Sequence, residues 1–107
     1  MKRTRVYKYL AVYDICVRDK SKLERRLSAK RRSKIMKLLF KYGIRTQLSV
    51  FEIELSPSEK MQLIMDVSKY LRKETDKFYL YPLDERSFKT ILRFGNFQNS
   101  LIYDFFF

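Results

Sequence analysis

Residues 9–15, Tyr-Leu-Ala-Val-Tyr-Asp-Ile, form a short run without a polar face. In an extended chain Leu10 and Val12 point one way, and Tyr9, Ala11, Tyr13 and Ile15 point the other. A strand apolar on both faces belongs in the middle of a sheet that is covered on both sides. Asp14 closes the run on the Leu10/Val12 face. Burying a lone carboxylate costs several kcal/mol, so such a residue sits at a rim, is paired, or holds a metal.

Periodicity then changes to helical. Ile35, Leu38, Leu39 and Tyr42 fall at i, i+3, i+4 and i+7, which predicts a helix over residues 31–42, with Arg32, Lys34, Lys37 and Lys41 off the stripe. Gly43 is placed to end it in the left-handed conformation. The preceding residues 16–30 are crowded with charge, and Leu23 and Leu27 allow part of them to be helical. They read either as a solvated helix start or loop, or as a phosphate-binding patch, because cations this dense repel unless an anion relieves them.

Residues 45–55 read as extended, but the alternation breaks. Leu48 and Val50 share one face, then Phe51, Ile53 and Leu55 take the other. Either a bulge or two short strands meeting at Val50–Phe51 explains the switch. Ser56, Pro57 and Glu59 spell an N-cap, a first-turn proline and a capping box. The helix they open runs to about Arg72, with Met61, Ile64, Val67, Leu71 and Met65 as its buried stripe. Residues 76–83 predict a strand with Phe78 and Leu80 on one face and Tyr79 and Tyr81 on the other; Pro82 puts its end at a sheet edge or strand terminus. A short helical turn with Phe88, Ile91 and Leu92 follows in residues 84–94, then a loop over 95–99 and a last strand over 101–107.

The order β-α-β(β)-α-β with an extra C-terminal strand predicts an α+β fold, a ferredoxin-like βαββαβ sandwich in a single domain over residues 1–107. Two helices cover one sheet face only. The other is expected to pair with a second copy, making a dimer through the sheet face, on which the terminal phenylalanines also dock.

Composition sharpens this picture. Lys and Arg number 24 against 12 Asp and Glu, a formal charge of +12, which points to a polyanion, nucleic acid before membrane. No run is apolar enough to span a bilayer. Residues 1–5 resemble the basic start of a signal peptide, but the apolar stretch behind them is broken by Lys8 and stopped by Asp14. With that and a single cysteine, Cys16, a cytoplasmic protein is expected. The chain has no histidine, which removes Ser-His-Asp and Cys-His nucleophiles and histidine zinc sites. Catalysis, if any, rests on carboxylates, Lys, Tyr, Ser or Thr, or on a hard cation held by oxygen. Glu52 and Glu54 read as a solvent-facing pair, and the methionines as core filler.

Val12-Tyr13-Asp14-Ile15, Arg31-Arg32-x-Lys34 and Gly43-x-Arg45-x-Gln47-x-Ser49-Val50-Phe51-Glu52 together resemble the CRISPR-associated protein 2 family, the small subunit of the spacer-adaptation machinery. The resemblance spans most of the chain. It implies a ferredoxin-like fold dimerising through its sheet, with Asp14 as catalytic residue and metal ligand, sharing Mg²⁺ or Mn²⁺ with its counterpart in a second copy. It also implies nuclease activity on RNA or double-stranded DNA, and an integrase subunit as partner. Arg45 and Phe51 match family positions linked to activity, and Tyr13 stands beside Asp14 as a possible support. Residues 16–30 are longer than the family's usual link, so none of the basic residues there is carried over as catalytic; Arg25, Arg26, Arg31, Arg32 and Arg45 are expected to bind nucleic acid. Set against a metal-dependent endonuclease are two alternatives: a non-catalytic dimeric DNA scaffold, and a generic RNA-binding ferredoxin-like domain. The last lacks a Lys/Arg-Gly-aromatic stacking motif.

Overall fold

The computed structural model describes residues 5–17 and 21–95. The seven elements are β1 (Tyr7–Asp14), α1 (Lys22–Phe40), β2 (Gly43–Gln47), β3 (Val50–Leu55), α2 (Pro57–Ser68), β4 (Lys77–Leu83) and α3 (Glu85–Lys89). The strands form one antiparallel sheet in the order β2-β3-β1-β4, the arrangement of a ferredoxin-like sandwich. The apolar strand β1 is central, as its pattern requires. Its Tyr9, Ala11, Tyr13 and the following Ile15 join Phe51, Ile53 and Leu55 of β3 beneath the helices, against Ile35 and Leu39 of α1 and Leu63 and Val67 of α2. Leu10, Val12 and Asp14 face the other way, with Tyr81, Tyr79 and Lys77 of β4 as their lateral partners. The expected final strand over residues 101–107 lies outside the described residues.

Helix α1 starts at Lys22, well before the expected Arg31. The Ser21 side chain accepts the Glu24 N–H and caps it, so part of the charged segment is helix. The Leu23 and Leu27 spacing allowed this without fixing it, because Ser28, not a hydrophobe, is the buried residue of those turns, while Leu23 and Leu27 are exposed. The other end also differs. The cap is Lys41 in right-handed geometry, and Gly43 has no positive φ. Gly43 is required for a different reason. It opens β2 opposite Ile53, where a Cβ would lie 2.0 Å from the Glu52 carbonyl oxygen.

The face switch in residues 45–55 is a hairpin. β2 and β3 are joined through a turn at Leu48 and Ser49, two residues earlier than expected, and an irregularity falls between Arg45 and Gln47. The capping box of α2 forms as read: Ser56 Oγ accepts the Glu59 N–H, and the Glu59 carboxylate accepts the Ser56 N–H at 2.8 Å. The buried stripe of α2 holds at Val67, and at Leu71, which packs on the core just past the helix, and is corrected at its other positions. Leu63 and Val67 face the core, whereas Met61, Ile64 and Met65 are exposed, so these methionines are not core filler. The helix ends at Ser68, and Asp84 caps α3, whose Phe88 is buried while Leu92 is exposed.

Beyond β4 the chain crosses to the face of the sheet that α1 and α2 leave open. The Lys8 ammonium sits 5.1 Å from the centre of the Phe88 ring. Arg93 reaches Glu52, which is 1% exposed. Glu52 is therefore a buried, paired carboxylate rather than the solvent-facing strand residue expected, while Glu54 stays half-buried near Lys8.

Candidate functional site

The end of β1 delivers adjacent side chains to opposite faces of the sheet. Tyr13 points toward the helices and is buried; Asp14 points the other way and is exposed. Asp14 closes the β1–β4 ladder opposite Lys77. Its carboxylate makes no hydrogen bond or ion pair with other described residues. No cluster of three or more His, Cys, Asp or Glu side chains stands together among the described residues. Asp14 contributes one carboxylate here. That suits half of a site for a hard ion such as Mg²⁺, which is held by one or two carboxylates and keeps several waters.

On the helix side, Tyr13, Arg32, Ser33, Arg45, Leu48 and Ser49 line a groove of about 350 Å³. The Leu48 carbonyl is its anchor point. It accepts the Arg45 Nε–H at 3.1 Å, the Arg45 Nη2–H at 2.7 Å and the Tyr13 hydroxyl at 3.2 Å. The hairpin turn is also tied to β1 by the Tyr13 N–H, which donates to the Ser49 carbonyl. Burial pushes the Tyr13 hydroxyl pKa up, and the nearby Arg45 and Arg32 guanidinium groups pull against that without reversing it. The phenol therefore stays protonated and donating. Phe51 lies fully buried beneath, its ring centre 6.4 Å from that of Tyr13 and 4.9 Å from that of Phe40 in an edge-on contact. Phe51 acts here as packing.

The arginines expected to bind nucleic acid divide into three groups. Arg25 and Arg26 are exposed on the early turns of α1, without a carboxylate partner among the described residues. Arg32 and Arg45 meet at the groove. Arg31 points inward, its side chain 14% exposed, and pairs with Asp76 at 3.2 Å. Its charge is compensated within the fold, which separates it from the other four.

Asp76 had no signal of its own in the sequence, being one acid at the start of a strand. In the fold its side chain is fully buried and accepts the Cys16 N–H at 3.0 Å, the Arg72 N–H at 2.9 Å and the Thr75 hydroxyl at 3.2 Å, besides Arg31. Burial alone would raise the Asp76 pKa. The two backbone donors, Arg31 and Thr75 outweigh it and hold the carboxyl below its usual range. Arg72 in turn pairs with Glu24 in the first turn of α1.

Comparison with known proteins gives one consistent answer. Residues 7–91 match the family described as CRISPR associated protein Cas2. A relative from Methanospirillum hungatei, named CRISPR-associated endoribonuclease Cas2 2, is 36% identical over 64 residues, covering 60% of this chain and 71% of its own. One from Synechocystis, named CRISPR-associated endoribonuclease Cas2 1, is 30% identical over 90 residues, covering 84% of this chain and 88% of its own. Among solved structures, Cas2 of Streptococcus pyogenes superimposes with a TM-score of 0.69 at 25% identity, over 82% of this chain and 99% of that one. A hypothetical protein from Thermus thermophilus gives 0.66 at 28% identity, over 86% and 94%.

Proposed function

The chain belongs to the Cas2 family of CRISPR-associated proteins, and from that membership we propose that it is a CRISPR adaptation protein that binds nucleic acid as a homodimer and cleaves phosphodiester bonds with the help of Mg²⁺ or Mn²⁺. One observation carries the catalytic part. Asp14 is exposed, bears no partner among the described residues, and lies on the sheet face that the two long helices do not cover. A second copy packed on that face through Leu10, Val12, Val50, Tyr79 and Tyr81 brings an identical carboxylate toward it. A divalent ion held between two such carboxylates would polarise the scissile phosphate and make water a better nucleophile.

The remaining residues bind and orient. Arg25 and Arg26, without a carboxylate partner among the described residues, present charge to phosphates from the outside of α1. Arg32 and Arg45 flank the groove beside Tyr13, and the Tyr13 and Arg45 bonds to the Leu48 carbonyl keep the hairpin turn in place. Phe51 supports that arrangement from the core. The charge of +12 supports the nucleic-acid part of the reading. Among the described residues no helix is long and apolar enough to cross a membrane. We place the protein in the cytoplasm, working with an integrase subunit.

The test is Asp14→Asn. Cleavage of RNA or duplex DNA should require Mg²⁺ or Mn²⁺ and disappear in the variant, while nucleic-acid binding persists. Cleavage that survives the substitution unaltered removes Asp14 from the chemistry. Binding without any cleavage by the unsubstituted protein makes it a DNA scaffold for the integrase. A monomer in light scattering at micromolar concentration removes the shared site.

A further inference from the structure

We propose that Asp76 is a positioning residue for Asp14, acting through the backbone of Cys16. The proposal rests on the metal-binding reading of Asp14 given above. The β1–β4 ladder stops at the pair Asp14 and Lys77, so nothing in the sheet holds the chain beyond Asp14 against β4. Asp76 immediately precedes Lys77, and its carboxylate takes over where the ladder ends by accepting the Cys16 N–H at 3.0 Å. Arg31 Nη2 closes the arrangement, donating both to Asp76 and to the Cys16 carbonyl at 3.3 Å. Cys16 is thus gripped at its amide nitrogen and its carbonyl oxygen, two residues past Asp14.

Removing a charge from water is costly, and this carboxylate is fully buried. Four kinds of donor compensate it, and they come from three separate stretches: the exit of β1, the middle of α1, and residues 72–75 before β4. The one anion therefore fixes the direction in which the chain leaves β1 relative to both neighbouring segments. Asp14 is the last residue before that exit, so its carboxylate inherits its placement from Asp76. The Arg72–Glu24 pair secures the same segment to the first turn of α1, close in sequence to Arg25 and Arg26.

The experiment measures Mn²⁺ affinity by electron paramagnetic resonance, and amide hydrogen exchange, on the unsubstituted protein and on Asp14→Asn, Asp76→Asn and Ser56→Ala. Ser56→Ala breaks the α2 capping box and serves as a destabilised control remote from β1's exit. Groups that orient a metal ligand typically alter affinity about 10- to 100-fold when changed. Asp76→Asn, at a temperature where circular dichroism shows it folded, should weaken Mn²⁺ by about tenfold or more. Exchange at residues 14–17 should accelerate more than elsewhere, and Ser56→Ala should do neither. Unchanged affinity with unchanged exchange at 14–17 overturns the proposal. Absence of Mn²⁺ binding by the unsubstituted protein, or its persistence in Asp14→Asn, overturns the metal reading instead; the exchange pattern then decides alone whether Asp76 places the end of β1. Should Asp76→Asn not fold, Arg31→Lys, which keeps the charge but loses the planar fork, is read by the same criteria.

Discussion

Arg93 donates through both terminal nitrogens to the two carboxylate oxygens of Glu52, on the sheet face opposite α1 and α2. The pair is almost fully enclosed, with side-chain exposures of 13% and 2%. It fastens the segment after α3 across β3 on that face. Breaking a buried ion pair from one side leaves a charge without a partner, which costs far more than the pair itself contributes. Arg93→Met should therefore destabilise the fold by about 3–5 kcal/mol in urea denaturation. Adding Glu52→Gln to the same chain should recover much of that loss.

Gly43→Ala tests the approach of β2 to β3. The new Cβ would press on backbone atoms, Glu52 O at 2.0 Å and Ile53 Cα at 2.7 Å, so no side chain can swing away to admit it. The strand must shift instead. Forcing extra volume into a packed site costs about 1–3 kcal/mol. A loss in that range is expected, measured by the denaturant midpoint at unchanged slope.

Acid should expose the contribution of Asp76. Its pKa is lower in the fold than in the unfolded chain, so it stabilises fully above the unfolded value, about pH 4, and the contribution fades as pH falls through the lower folded value. Asp84, whose carboxylate accepts the Ser87 N–H, works in the same direction. Stability measured at decreasing pH should fall less steeply below about pH 4 in Asp76→Asn than in the unsubstituted protein, and the two should converge in strong acid.

Duplex DNA binding should weaken steeply with salt, because each neutralised phosphate releases counterions with a slope of about −0.9 in log–log form. Arg25→Ala combined with Arg26→Ala should reduce the slope by about 2. Arg31→Ala should lower stability instead, because its guanidinium is spent on Asp76. An equal change of slope for Arg31 would show that the inward pair opens on binding.

The elements that were legible in the sequence are those whose local chemistry and tertiary surroundings agree. β1 declared itself by apolar residues on both faces, and Ser56, Pro57 and Glu59 fixed the start of α2 to the residue. Where the two disagree, pattern misled. On α2 the apolar Met61, Ile64 and Met65 point outward, because the helix turns Leu63 and Val67 to the sheet. On α1 a buried serine replaced the hydrophobe that would have marked the early turns. The residues around Asp14 and Arg45 stood out as a motif, but the contacts of Arg31, Asp76, Glu52 and Arg93 could not be read. Each depends on a partner more than 40 residues away along the chain, and an isolated charge carries no mark of whom it will meet.

The hairpin at the groove has a last implication, for which changes this protein can absorb. Leu48 holds the turn through its carbonyl, an atom every amino acid possesses, while its side chain is 80% exposed. The fold reads position 48 as main chain only. Replacing its leucine with a polar residue leaves all three anchoring bonds available, so sequence can drift there without moving Tyr13 or Arg45, whereas a change at either of those two removes part of the anchor.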